Sequence, residues 1–196
     1  MYKYICASSF ILASSSPRRK ELLGSTGIDF KIAKPDCDES LVPGEAVEKM
    51  VSRLSIEKAQ NIAERYPASW ILAADTTVYI DGEILGKPSD SAEAFSMLKK
   101  ISGRPHQVWG GITLMHQAKN ISITQTHCTE VIMRKLSDNE IEEFIKTGEP
   151  MDKAGAYAIQ GIGAGLVSKI AGSYTNVVGL NLSAVIELLI QNSIIK

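Results

Sequence analysis

Ser14-Ser15-Ser16-Pro17-Arg18-Arg19 sets three hydroxyls and two guanidinium groups around what the sequence marks as a helix start. Proline suits the first helical position, where its missing N–H would have had no intrahelical partner. Ser16 is therefore the expected N-cap and Pro17 the first helical residue. Such a terminus presents unpaired backbone N–H donors and partial positive charge. Hydroxyls and guanidinium groups added there make a cradle for a phosphate chain. A structural explanation also stands: serines are ordinary caps, and arginines in a first turn are often simply solvated.

A second candidate is Asp75, which follows the continuous apolar run Trp70-Ile71-Leu72-Ala73-Ala74. That run reads as a strand buried on both faces. The carboxyl ends of central strands in open α/β sheets face the ligand crevice, so an aspartate there is placed to hold a metal or activate water. An aspartate that merely caps a turn is the alternative. The loop from Lys34 to Ser40 carries the carboxylates of Asp36, Asp38 and Glu39, and acidic loops are usually just solvated. Lys58, on an amphipathic segment, reads from the sequence alone as a surface charge.

Two phosphate-binding fingerprints fail. Gly82 and Gly86-Lys87-Pro88 are one residue too close for a P-loop, and Pro88 stands where that motif needs a hydroxyl for magnesium. Gly161, Gly163 and Gly165 approach a dinucleotide loop, but Leu166 takes the last glycine position and a strand is expected next. Clustered glycines permit close backbone approach to a ligand or tight turns between strands, and the sequence leaves both open.

The chain that must position these groups has 196 residues, 44% hydrophobic and 22% charged, enough for a substantial core. Its formal net charge of -1 argues against coating nucleic acid, so phosphates would be held by a local basic cluster. Cys6, Cys37 and Cys128 fit neither a disulfide framework nor a zinc site, and His106, His116 and His127 lack ligand spacing; all six read as structural or incidental. The N-terminal apolar run is too short for a bilayer and lacks a cleavage site, which points to a cytoplasmic protein.

Strands are expected from Phe10, over Phe30–Ala33, Trp70–Ala74, Val78–Ile80, Glu83–Leu85, Val108–Met115 and Ile121–Met133, and through Leu166 to Ile170. Asp81-Gly82 signals a tight hairpin. Helices are expected after Ser16, over Glu45–Arg65, after Asp90 with Glu93 completing a capping box, after Ser137 with Glu140, and from Leu182. Buried strands alternate with helices at both ends of the chain around a hairpin-rich middle. The fold class is thus α/β with a mixed sheet.

Four stretches, in order, resemble the Maf family of nucleoside triphosphate pyrophosphatases, named for its association with septum formation. They are Leu12–Leu23, Ala74-Asp75-Thr76, Gly82–Pro88 and Asp152–Gly161. The resemblance implies a single domain over 1–196 with the fold of the inosine triphosphate pyrophosphatases: an elongated α/β protein with a twisted mixed sheet, flanking helices and a cleft between two lobes. It also implies hydrolysis between the α- and β-phosphates to give the monophosphate and pyrophosphate, with a divalent cation, Mg2+ or Mn2+. Arg18, Thr76 and Gln160 are similar to the subgroup acting on dTTP and UTP, whereas the subgroup linked to 7-methyl-GTP has other residues there. An amide such as Gln160 both donates and accepts, which suits the uracil or thymine edge. Gly110 and Asn181 depart from the family's frequent Thr and Pro.

On this resemblance Arg19, Lys58 and Lys87 hold the phosphate chain, with Ser14 and the helix N-terminus on phosphate oxygens. Asp75 is the expected base and Glu39 a metal ligand, Asp75 being the second candidate ligand. Removing either is expected to leave folding intact while lowering the rate ~10²-fold or more. The partner is the nucleoside triphosphate, with no nucleic acid or membrane, and relatives suggest a homodimer. A nucleotide-binding regulator of septum formation with little turnover, and a purine-selective house-cleaning hydrolase, are the alternatives.

Overall fold

Ser16 caps the first helix as its sequence requires: its hydroxyl accepts the Arg19 N–H at 3.4 Å, with Pro17 opening helix α1, Pro17–Ser25. In the computed structural model, which describes residues 9–195, α1 follows strand β1, Phe10–Ala13. Strand β2, Lys31–Ala33, and helix α2, Val47–Arg65, come next. Then follow β3, Trp70–Ile80, β4, Glu83–Leu85, and helix α3, Ser91–Ile101. The long strands β5, Pro105–His116, and β6, Ile121–Met133, precede helix α4, Asp138–Lys146. Short 3-10 turns lead to β7, Val167–Ala171, and to helices α5, Tyr174–Val178, and α6, Leu182–Gln191.

The seven strands form one mixed sheet in the order β2-β1-β3-β5-β6-β7, with β4 paired to β3. β1 runs parallel to both β2 and β3, while β3–β4 and β6–β7 are antiparallel. Parallel neighbours need long crossovers, which α1 and α2 supply. Asp81 and Gly82, at φ 53° and 84°, make the expected hairpin turn.

The chain divides into two compact units. One takes in the chain up to Asp75, Gly110–His127, and everything from Gly179 onward; the other comprises Thr76–Trp109 and Cys128–Val178. In the first, alternation along β1 and β3 feeds two cores. Phe10, Leu12, Trp70, Leu72 and Ala74 pack with Leu23 of α1 and Val185, Leu188 and Leu189 of α6. Ile11, Ala13, Ile71 and Ala73 pack with Ala59, Ile62 and Ala63 of α2. The second unit has its own core, where Val78, Ile80, Val108, Val131 and Met133 meet Leu98 and Ile101 of α3 and Ile141 and Phe144 of α4.

Several expected boundaries move. β3 does not end before Asp75: the β-branched residues Thr76, Thr77 and Val78 keep the strand extended to Ile80, so Asp75 lies in its interior. α2 begins at Val47, since Ala46 is the N-cap with extended backbone (φ -64°, ψ 140°). Phe30 precedes β2, and Leu166 closes a 3-10 turn ahead of β7. Asp90 accepts the Glu93 N–H at 2.8 Å, but Glu93 reaches back to Ser89 and not to Asp90. The Ser137–Glu140 capping box is complete. Helix α5 had no sequence signal, being a single turn without apolar periodicity.

Candidate active site

Arg53, Glu57 and Asn61 recur every four residues along α2 and so share one helix face. That face holds the acidic loop. Asn61 accepts the Asp36 N–H at 3.1 Å and donates to the Asp36 carbonyl at 2.9 Å. Arg53 donates to the Glu45 carboxylate at 2.9 and 2.8 Å and to the Ser40 carbonyl at 3.2 Å. The Asp38 carboxylate accepts the Ser40 N–H at 2.9 Å, and its two bonds from Ser40 hold it below the usual carboxylate range. Glu39 lies between these anchors, so the loop is a positioned one and not merely solvated.

Beside that face, Lys58 joins the two expected carboxylates. Its Nζ donates to Asp75 Oδ1 at 2.7 Å and lies 3.1 Å from Glu39 Oε1. The Lys58 and Asp75 side chains are 6% and 9% exposed, whereas Glu39 is 60% exposed. Lys58 is therefore no surface charge. A buried pair gains little net stability, because desolvation offsets the attraction, but removing one partner strands the other charge. Loss of Asp75 would leave Lys58 as a buried unpaired charge, whereas loss of the exposed Glu39 would not bury one.

Arg19, the third residue of α1, is half-buried and donates from Nε to the Gly179 carbonyl at 2.8 Å. Burial pulls its guanidinium below the ordinary value, while the nearby Asp75 carboxylate pushes the other way; Arg18 adds to the lowering and Glu39 opposes it. Arginine remains a cation throughout. Its electrostatic neighbours are thus the same two carboxylates. Ser14, buried after β1, accepts the Ser16 N–H at 3.1 Å, which leaves its own hydroxyl proton to donate.

Arg19, Glu39, Lys58 and Asp75 are brought together in the first unit, which also holds Ser14 and Arg18. Thr76, Lys87 and Gln160 belong to the second. Thr76 is the next residue along β3, where alternation turns its side chain to the face opposite Asp75. Lys87 is exposed in the segment between β4 and α3, and Gln160 is half-buried just ahead of the 3-10 turn Gly161–Leu166.

No cluster of three or more His, Cys, Asp or Glu side chains is gathered for a metal among the described residues. Asp75 and Glu39 nonetheless supply hard oxygen donors, one on each side of the Lys58 ammonium. That is the donor set expected where a divalent cation takes one or two carboxylates and completes its shell with phosphate and water oxygens. Cys37 and Cys128 are free thiols; Cys6 lies outside the described residues. His106 bonds Tyr157 and His116 stacks edge-on against Trp70, in keeping with structural roles. Asn181, where the family often has Pro, caps α6 by accepting the Ala184 N–H. No helix among the described residues is long and apolar enough to cross a membrane.

Sequence reasoning missed Arg53 and Asn61, whose partners in the acidic loop lie 13 and 25 residues away. It also missed the Gly179 carbonyl, a backbone group that no residue pattern signals.

This geometry can be set beside known proteins. The chain is 49% identical over 180 residues to a protein of Geobacter metallireducens named dTTP/UTP pyrophosphatase, covering 92% of this chain and 94% of that one. It is 48% identical to a Symbiobacterium thermophilum protein of the same name, over 92% of each chain. A third protein of that name, from Desulfotalea psychrophila, is 44% identical over 100% of both chains. Among solved structures, the Staphylococcus aureus Ham1 protein matches with a TM-score of 0.50 at 12% identity, over 94% of this chain and 99% of that one. The mixed α/β fold expected from the sequence is therefore shared with Ham1. The model for Maf-like protein matches residues 9–192. Nearly the whole length is covered, and the chain belongs to the Maf family.

Proposed function

We propose that this protein is a nucleoside triphosphate pyrophosphatase that hydrolyses dTTP and UTP to the monophosphate and pyrophosphate. The observation that carries the reading is the convergence of Asp75 and Glu39 on the buried Lys58, with Arg19 in electrostatic reach of both carboxylates. Cations alone would serve binding. Carboxylates beside a polyphosphate weaken binding unless they do chemistry or share a cation.

In this reading Asp75 accepts a proton from the attacking water as it adds to the α-phosphorus. The bond to the bridging oxygen breaks, and pyrophosphate departs with the electron pair. Lys58 orients the Asp75 carboxylate through Oδ1 and, with Arg19, faces the developing negative charge. Lys87 and the Ser14 hydroxyl are further phosphate contacts. Asp75 and Glu39 would hold a Mg2+ or Mn2+ ion, which when bound neutralises phosphate charge and orients oxygens for displacement. Arg18, Thr76 and Gln160 are proposed to face the nucleoside, with the Gln160 amide pairing with the pyrimidine edge.

The test is pyrophosphate release from dTTP, UTP, CTP, GTP, 7-methyl-GTP and ITP, with magnesium or manganese, by wild type and Asp75→Asn. Release should favour dTTP and UTP, and fall ~10²-fold or more in the variant. Circular dichroism must accompany it, because the substitution strands Lys58. Tight nucleotide binding without release from any member of the panel would instead make the protein a regulator.

A further inference from the structure

The glycines after Gln160 make room for a carboxylate of the protein itself. Glu149 opens the 3-10 turn Glu149–Asp152, and its side chain returns to the glycine-rich segment. Oε2 accepts the Ile162 N–H at 2.9 Å and Oε1 accepts the Gly163 N–H at 2.9 Å. Gly161 has φ +67°, and a Cβ there would fall 2.7 Å from Glu149 Oε2. At Gly163 a Cβ would fall 2.5 Å from the Ala158 carbonyl oxygen and 3.1 Å from Glu149 Oε1. A larger residue at Gly161 would push the carboxylate off the backbone, and one at Gly163 would collide first with the Ala158 carbonyl.

Glu149 is itself held at both backbone ends. Its N–H donates to Thr147 Oγ1 at 3.2 Å, and its carbonyl accepts from Lys153 Nζ at 3.0 Å. On the other side of Gln160, the Tyr157 hydroxyl lies 2.6 Å from His106 Nε2 inside the second unit's core. Gln160 is thus a half-buried amide on a short stretch fixed at Tyr157 and again at residues 162 and 163. Two charge-assisted bonds from one carboxylate to consecutive N–H groups fix both the height and the rotation of that stretch.

We propose that Glu149 is a positioning residue for nucleobase selectivity: by clamping the backbone N–H groups of Ile162 and Gly163 it fixes the direction of the Gln160 amide. The inference rests on the reading of the chain as a dTTP and UTP pyrophosphatase in which Gln160 meets the base. A buried amide discriminates only if it cannot swing to satisfy the wrong edge, since rejection comes from polar groups left unpaired. The hydrogen bonds of Glu149 go to Thr147, Lys153, Ile162 and Gly163, none of them a proposed phosphate contact, so its effect belongs to selectivity and not to the chemical step.

The experiment compares wild type, Glu149→Gln, Gln160→Ala and the double variant in pyrophosphate release from UTP and CTP. Amide exchange at Ile162 and Gly163 is followed by NMR on nucleotide-free protein. Glu149→Gln keeps the shape but turns an NH2 group or a neutral oxygen toward each N–H. Exchange at those two amides should accelerate about tenfold or more. The UTP-to-CTP ratio of kcat/KM should drop about tenfold, through KM and with kcat nearly unchanged. In the Gln160→Ala background the same substitution should change the ratio no further. Accelerated exchange with an unchanged ratio would overturn the positioning role, and unchanged exchange would overturn the clamp. Should Glu149→Gln fail to fold, Glu149→Asp, which keeps the charge on a shorter arm, is read against the same outcomes. Absence of pyrophosphate release by wild type, or a ratio indifferent to Gln160→Ala alone, would mark failure of the underlying reading instead.

Discussion

Lys58 carries more of this site than either carboxylate it joins, because it is the buried charge that both of them answer. Breaking a buried ion pair from one side costs about 3–5 kcal/mol, whereas replacing both partners with apolar groups is often neutral or stabilising. Lys58→Met and Asp75→Leu should therefore each lower the urea midpoint, and the double variant should recover most of the loss. Its pyrophosphate release should stay as low as that of the single variants. Recovered stability with no recovered activity separates the pair's chemical role from its packing role; recovered activity would remove both residues from the mechanism. Glu39 behaves differently, being 60% exposed. Glu39→Gln should change stability by less than about 0.5 kcal/mol, yet lower pyrophosphate release ~10²-fold. A rate within a few-fold of wild type would reduce Glu39 to a solvated loop charge.

Helix α2 is the element that places these groups, and its closeness to the sheet is set by small residues. Ala59 and Ala63 face β1 and β3, Ser55 Oγ lies 2.8 Å from Thr113 Oγ1, and a Cβ on Gly111 would sit 2.2 Å from the Val51 carbonyl oxygen. Backbone on both sides leaves nothing flexible to give way. Gly111→Ala should thus lever α2 off β5 at about 1–3 kcal/mol, a fall in Tm of roughly 2–12 °C for a chain of this size. It should also lower pyrophosphate release, since Lys58 moves with its helix; an unchanged Tm would show that α2 is not held so close. α2 also shows what the sequence could convey. Its apolar period marked the helix, and Ser16-Pro17 and Ser137 with Glu140 marked two helix starts, because these signals are local. That Lys58 turns inward, that Arg53 and Asn61 tie down the acidic loop, and that Asp75 sits within a strand depend on partners distant in sequence. No local pattern carries those.

Stability of the whole chain should depend on pH through a group that takes no part in the proposed chemical step. His106, 2% exposed, has its imidazole pushed down by burial to about 4, with the Arg104 backbone opposing. In the unfolded chain it titrates near 6.5. Between those values the unfolded state binds the extra proton, so folding stability rises with pH there and is lost as pH falls from 6.5 toward 4. Over the interval from pH 7 to pH 5 this one residue should remove about 2 kcal/mol. Carboxylates such as Glu140, held at about 2 by the Ser137 N–H and Arg134, lose their contribution only at lower pH, which leaves the window to histidine. Urea midpoints at pH 7 and pH 5 should differ in wild type, and His106→Gln, which cannot titrate, should narrow the difference by about that amount. The variant would begin less stable, having lost its fit to Tyr157, so the difference between the two pH values is the quantity to compare. An equal difference in both proteins would mean that His106 is protonated in the folded state as readily as in the unfolded one, and that its burial against Tyr157 is not maintained in solution.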